Sequence, residues 1–204
     1  MRLLPYGETA YLVELPDLAD VIGYAGAVRE ASPAGVVDVV PAARTVLVTF
    51  DPALTTAEAM ASALTSTTYE PRLAGVGPLV ELAVRYDGVD LRDVAAVAGL
   101  PEAEVIRRHT AREYVVAFCG FAPGFAYCAG GDPALFVPRL PTPRSHVPEG
   151  SVAVAGEWTG VYPRSSPGGW RLLGRTDAPL WDLDRDPPAL LKPGTRVRFT
   201  AVSP

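Results

Sequence analysis

Residues 120–144, GFAPGFAYCAGGDPALFVPRLPTPR, are dense in glycine, proline and aromatic side chains and show almost no alternating strand pattern. Glycine supplies backbone angles that other residues avoid and proline freezes φ, so together they specify one irregular path. Phe121 and Phe125 lie four apart around Pro123, which blocks regular structure. The pair serves either as apolar anchors held outward, of the kind that dominate interfaces, or as core packing. The whole segment fits a ligand-binding loop, a partner-docking surface or a connection around a barrel.

Outward from this segment, composition narrows the classes. A length of 204 residues suits one large domain or two small ones. Hydrophobic content of 49% with 20% charged residues supports a packed core. The 19 glycines and 21 prolines fall short of the roughly 25–30% share of low-complexity chains, so they read as turn chemistry within an ordered fold. A net charge of −5 argues against non-specific binding to nucleic acid or an anionic membrane. Lys192 is the only lysine, and no G-x-x-x-x-G-K-[ST] phosphate loop occurs. Cys119 and Cys128 have no histidine spaced to complete a zinc site; they read as reduced thiols, and no metal is expected. The opening MRLLPYGETAYLVEL lacks the layout of a signal peptide, and no run approaches the roughly 18 apolar residues of a membrane span. The expected location is cytoplasmic.

Two halves follow along the chain. Residues 8–15 read as a strand, and 17–31 place Leu18, Val21, Ile22, Ala25 and Val28 on one helical face. Two β-rich runs, 36–40 and 45–50, flank a turn; Thr55 and Glu58 then have the spacing of a capping box before a short helix to about residue 66. This is a small α/β sandwich that one more strand could close. Pro71, Gly75, Gly77 and Pro78 mark a boundary. Beyond it come a strand at 79–86, a helix capped by Asp90, and a second helix opened by Pro101. Strands at 114–119, 151–155, 170–174 and 196–201, separated by turns, suggest a barrel or sandwich.

Candidate chemistry is sparse. The helix–glycine–helix rhythm of 90–112 is that of a DNA-binding motif, but Glu102 and Glu104 open the would-be recognition helix. No G-x-S-x-G elbow occurs, and no spacing promotes a serine dyad with either histidine, His109 or His146. His109, late in a helix, suits the negative end of the helix dipole; His146, in a proline-bounded loop, reads as exposed. Gly120, Gly124 and Gly130-Gly131 are compatible with a backbone anion nest. Arg139 and Arg144 are separated by Leu-Pro-Thr-Pro, and Arg164 and Arg171 bracket SSPGGW. Arginines on stiffened loops beside aromatics suit an anionic small molecule, or equally a salt-bridged rim at a partner interface.

The ordered blocks GFAPGFAY (120–127), DPALFVPRLPTPR (132–144), VPEGSVAVAG (147–156), TGVYP (159–163) and SPGGWRLLGRT (166–176) resemble the 5-oxoprolinase B-subunit family, also called the KipI or allophanate hydrolase subunit 1 family. The blocks lie between HTAREYVVAF, starting at His109, and LLKPGTRVRF, ending at Phe199; the amino-terminal half agrees in element order and in GETAYLVEL. The resemblance implies an α+β chain of two domains, a small α/β sandwich (1–77) followed by a cyclophilin-like β-barrel (78–204). It implies a heteromer formed with a KipA-like C subunit, joined by an A subunit for the ATP-dependent opening of 5-oxo-L-proline to L-glutamate. It places the working surface on Gly120, Phe121, Pro123, Gly124, Phe125, Tyr127, Arg139, Arg144, Thr159, Tyr162, Pro167, Gly168, Gly169 and Trp170. Arg144 is the first choice for an anion contact, Tyr162 for a hydrogen bond, and His109 is a candidate polar partner; these three are also the catalytic candidates. Other members imply two alternatives: a KipI-like inhibitor of a sensor histidine kinase, or a carboxyltransferase or allophanate-hydrolase-type subunit of urea metabolism. Two positions depart from the family pattern: Trp158 stands where glutamine is frequent, and Cys128 replaces a common leucine.

Overall fold

Val13, Val46, Val48 and Val39 face the same side of a four-stranded antiparallel sheet and are buried against two helices. In this computed structural model, which describes residues 1–72 and 77–202, they form the core of the first of two units, 1–74 and 75–204. Gly75, part of the expected boundary, lies outside the described residues. The first unit runs β1 (Arg2–Pro5), β2 (Ala10–Glu14), α1 (Leu18–Ala31), β3 (Val36–Pro41), β4 (Thr45–Phe50) and α2 (Ala57–Ser66), with strand order β1-β2-β4-β3. The closing strand is β1, at a sheet edge. Asp17 caps α1 by accepting from the Asp20 N–H at 3.1 Å. At α2 the cap is Thr56, which accepts from Ala59 N–H at 3.2 Å, one residue beyond the expected Thr55. Glu58 therefore stands too early to close a capping box and instead places its charge in the first turn, facing the helix dipole.

The second unit contains β5 (Leu79–Val84), α3 (Leu91–Ala98), α4 (Glu102–Thr110), β6 (Glu113–Cys119), β7 (Ala126–Ala129), β8 (Arg144–Val147), β9 (Ser151–Ala155), β10 (Trp158–Val161), β11 (Ser166–Gly168), β12 (Arg171–Arg175) and β13 (Arg196–Ala201). Seven strands form one sheet in the order β12-β9-β10-β7-β6-β13-β5, and β8 and β11 make a separate ribbon. Past the end of β5, the amides of Arg85 and Arg175 each donate to the other's carbonyl at 2.9 Å, joining the two sheet edges. This closure gives the cyclophilin-like barrel. It depends on Gly174, where an added Cβ would fall 2.1 Å from the Arg85 carbonyl oxygen. Leu82, Val84, Tyr114, Val116, Val152, Val161, Val197 and Phe199 belong to one buried core. A second core joins Val94, Ala95 and Val105 of the two helices to Leu135, Val137, Val154 and Leu173.

Residues 126–129, inside a segment that reads as irregular, form β7 in the middle of this sheet, between β10 and β6. Four residues, AYCA, carry too little pattern to announce a strand; pairing with β6 and β10 imposes it. The short β8, β10 and β11 escape the sequence pattern for the same reason. Among the described residues, no helix is long and apolar enough to cross a membrane.

Candidate functional site

The loop between β6 and β7 is closed by its own backbone. Gly120 N–H donates to the Phe125 carbonyl at 3.2 Å, and Phe125 N–H to that of Ala122 at 3.0 Å. Within this turn Phe121 adopts a left-handed φ of +68° and stays 61% exposed, whereas Phe125 is only 2% exposed. The two phenylalanines thus take opposite roles, one outward and one in the core. Pro123 is exposed, and Gly124, at φ +83°, packs beside Pro163 and Trp181.

Phe125 is the hub of a continuous aromatic group. Its ring lies 5.1–5.3 Å, centroid to centroid, from those of Tyr127, Tyr162, Trp170 and Phe121. Tyr127 extends the group by stacking on Phe118 at 4.4 Å, and Phe118 meets Trp158 edge-on at 5.2 Å. Sequence reasoning misses Phe118 and Trp158 as members of this surface. The apolar run 114–119, read as a strand, carries a signal for the first; the second is visible only as a departure from pattern. Tyr162 is buried, which raises its phenol pKa, with the Trp170 backbone amide opposing that rise. Its hydroxyl lies against Gly168, where an added Cβ would fall 2.3 Å away, so only glycine fits there. Gly168 and Trp170 are part of the same construction, Gly169 is buried beside Arg139 and Pro143, and Pro167 is exposed, whereas Tyr162 is built into the core rather than presented to solvent.

Arg144, the expected anion contact, is already engaged. Its Nη2 donates to Asp90 Oδ1, and Asp90, 3% exposed, also accepts from the Leu172 N–H at 2.8 Å through Oδ2. The Asp90 carboxylate, expected to cap α3, makes no cap bond and instead ties β8 to β12. No local signal links residues 54 positions apart. Arg171 is similarly occupied, with Nε donating to the Pro138 carbonyl at 2.9 Å and Nη1 lying 4.0 Å from Asp93. Among the described residues, Arg139 and Arg164 have no carboxylate within 4.0 Å.

His109 and Thr159 are gathered elsewhere. His109 is fully buried among Tyr86, Tyr114 and Phe199, with Nδ1 2.7 Å from Tyr86 Oη and Nε2 3.4 Å from Thr159 Oγ1. Burial pushes its pKa down to about 3, so the ring is neutral and offers no charge to the end of α4. That corrects both the helix-dipole reading and the expectation of a polar group at the aromatic surface. Thr159 follows Trp158 on β10, and alternation turns the two to opposite faces. His146 is exposed, and its Nδ1 lies 3.0 Å from Ser165 Oγ, a pair on the β8–β11 side that sequence spacing does not suggest. Cys119 and Cys128 are free; burial pushes the Cys128 thiol up to about 12. Neither a buried neutral imidazole nor a buried protonated thiol suits acid–base or nucleophilic work.

The donor set fits ATP poorly. Each α-helix carries an acidic residue in its first turn: Asp20, Glu58, Asp93, and Glu102 with Glu104. Carboxylates at these termini oppose the phosphate binding that helix N-termini otherwise favour. The cations of α4 are bound as well, since Glu104 accepts from Arg107 and Arg108, and Arg108 also reaches Asp132.

Residues 1–191 match the family described as carboxyltransferase domain, subdomain C and D. The chain is similar to the 5-oxoprolinase B subunit of Escherichia coli O157:H7, at 49% identity over 123 residues, covering 59% of this chain and 56% of that protein. It is also similar to the protein of the same name from Bacillus subtilis (strain 168), at 45% over 128 residues, covering 61% and 53%. These matches span little more than half the length of either relative. Among solved structures, TTHA0988 has a TM-score of 0.81 and 37% identity, over 96% of this chain and 40% of that one. Uncharacterized protein PH0987 from Pyrococcus horikoshii, at 35% identity and TM-score 0.59, is matched over 99% and 98% of the two chains. The K. lactis urea amidolyase shares the fold at 20% identity and TM-score 0.78, over 98% of this chain and 15% of that one. The chain belongs to the carboxyltransferase subdomain C and D family, among the members that include the 5-oxoprolinase B subunits.

Proposed function

We propose that this chain is the B subunit of a cytoplasmic, ATP-dependent 5-oxoprolinase that opens 5-oxo-L-proline to L-glutamate, working with a KipA-like C subunit plus an A subunit. One observation carries the reading beyond the names of its relatives. Among the described residues, His109 and Cys128 are buried, Tyr162 is built into the core and the exposed His146 is partnered by Ser165, whereas the aromatic surface presents the outward Phe121 and the unpaired Arg139. Such a chain binds and positions; its described residues do not assemble a complete catalytic set. Lactam opening needs charge neutralisation at the reacting oxygen, and in this reading a companion polypeptide holds the ATP phosphates, which is in keeping with the acidic helix termini here. This chain contributes a docking face at Phe121 and a cationic contact to the small substrate.

Purified separately and then mixed, the three polypeptides are expected to release glutamate from 5-oxoproline with ATP consumption only when all are present. Full turnover by this chain alone, or none by the complete mixture, would overturn the proposal.

A further inference from the structure

Of the four arginines on the stiffened loops, Arg144 and Arg171 are held by protein acceptors, and Arg164 lies in the connection between β10 and β11, on the side of the His146–Ser165 pair. Arg139 is different. It is exposed and unpaired among the described residues, yet its position is fixed at both sides. The preceding Pro138 carbonyl accepts from Arg171 Nε at 2.9 Å, and the following Leu140 N–H donates to the Gly169 carbonyl at 2.8 Å. The guanidinium lies along the Gly168-Gly169-Trp170 backbone: a Cβ on Gly169 would sit 3.6 Å from Nη2 and 3.7 Å from Nε. Its charge reaches the phenols of Tyr127 and Tyr162, opposing in each the upward shift caused by burial. A guanidinium with free donors, carried on an anchored backbone beside an aromatic wall, has the chemistry to grip a planar oxyanion on a compact organic molecule.

We infer that Arg139, not Arg144, is the residue that binds the substrate's carboxylate, with Tyr127 and Trp170 forming the wall beside it. The inference rests on the reading of this chain as part of a 5-oxoprolinase, because 5-oxoproline is a small ring bearing one carboxylate. Arg144 serves the fold: Asp90 holds its Nη2, and its Nη1 is buried without a partner among the described residues.

The test follows the arginine Nε–H signals of the full chain by NMR, titrated separately with 5-oxo-L-proline and with inorganic phosphate. The Arg139 signal, identified by its loss in Arg139→Lys, is expected to shift and saturate with 5-oxoproline while that of Arg144 stays in place. Arg139→Ala should weaken 5-oxoproline binding about tenfold or more, as loss of a charge-assisted hydrogen bond predicts, and Arg139→Lys should weaken it less. Arg164→Ala should bind as wild type does. A silent Arg139 signal, equal affinity in Arg139→Ala, or saturation by phosphate alone would each overturn the assignment. The two proposals fail separately. Arg139-dependent binding without glutamate release by the complete mixture overturns the enzymatic reading only. A complete mixture containing Arg139→Ala with an unchanged KM for 5-oxoproline overturns the carboxylate site only.

Discussion

His109 shows how one side chain changes meaning with its surroundings. In sequence it is a cation near a helix end; in the fold it is a neutral ring enclosed by Tyr86, Tyr114 and Phe199. Its folded pKa of about 3 lies below the ordinary imidazole value, so the unfolded chain binds the proton more readily. Stability is therefore full above about pH 6.5 and falls as pH drops from there toward 3, by about 1.4 kcal/mol per unit within that window. Urea midpoints measured between about pH 7 and about pH 5 should drop more steeply for the wild type than for His109→Gln, which cannot titrate. Parallel slopes would remove His109 as the cause. The Asp90–Arg144 pair teaches the same lesson. A carboxylate at a helix start reads as a cap, but burial with a guanidinium and the Leu172 amide around it satisfies it better than the helix can.

Among the elements, the β6–β7 turn joins local chemistry to function. Glycine and proline spacing makes its rigidity legible, but not the direction of either phenylalanine. Direction depends on pairing: Phe125 precedes a strand held between β6 and β10, so its side chain enters the core, while Phe121 sits at the tip in a left-handed conformation. A non-glycine residue pays for that conformation, on the order of 1 kcal/mol. Phe121→Gly should relieve the strain while losing edge contacts with Phe125 and Tyr162, leaving stability within about 1 kcal/mol of wild type. Co-purification with the companion polypeptide should nonetheless fall sharply, because an outward aromatic anchor is lost. Unimpaired co-purification would show that Phe121 does not dock the partner.

At the scale of the molecule, barrel closure includes a reciprocal pair of hydrogen bonds between Arg85 and Arg175, extended by Gly88 N–H to the Leu173 carbonyl and Asp90 N–H to the Leu172 carbonyl, and permitted by the absence of a side chain at Gly174. Gly174→Ala places a Cβ against backbone that has no flexible end to move, and should cost about 2–3 kcal/mol. Hydrogen exchange should then rise at the Arg85 and Arg175 amides while the amides of β2 and β4 keep their protection. Unchanged exchange at Arg85 and Arg175 would show that closure tolerates the methyl group.

By itself the sequence determined the order of most helices and longer strands and, through ordered motif blocks, the family and its barrel. Those features are written in hydrophobic period, turn residues and local spacing, which act over a few positions. Tertiary structure alone decided that AYCA is a central strand, that Arg144 belongs to Asp90, that His109 is neutral, and that Arg139 remains free among the described residues. Each of these depends on which distant groups share a small buried volume, where desolvation and pairing outweigh any local preference.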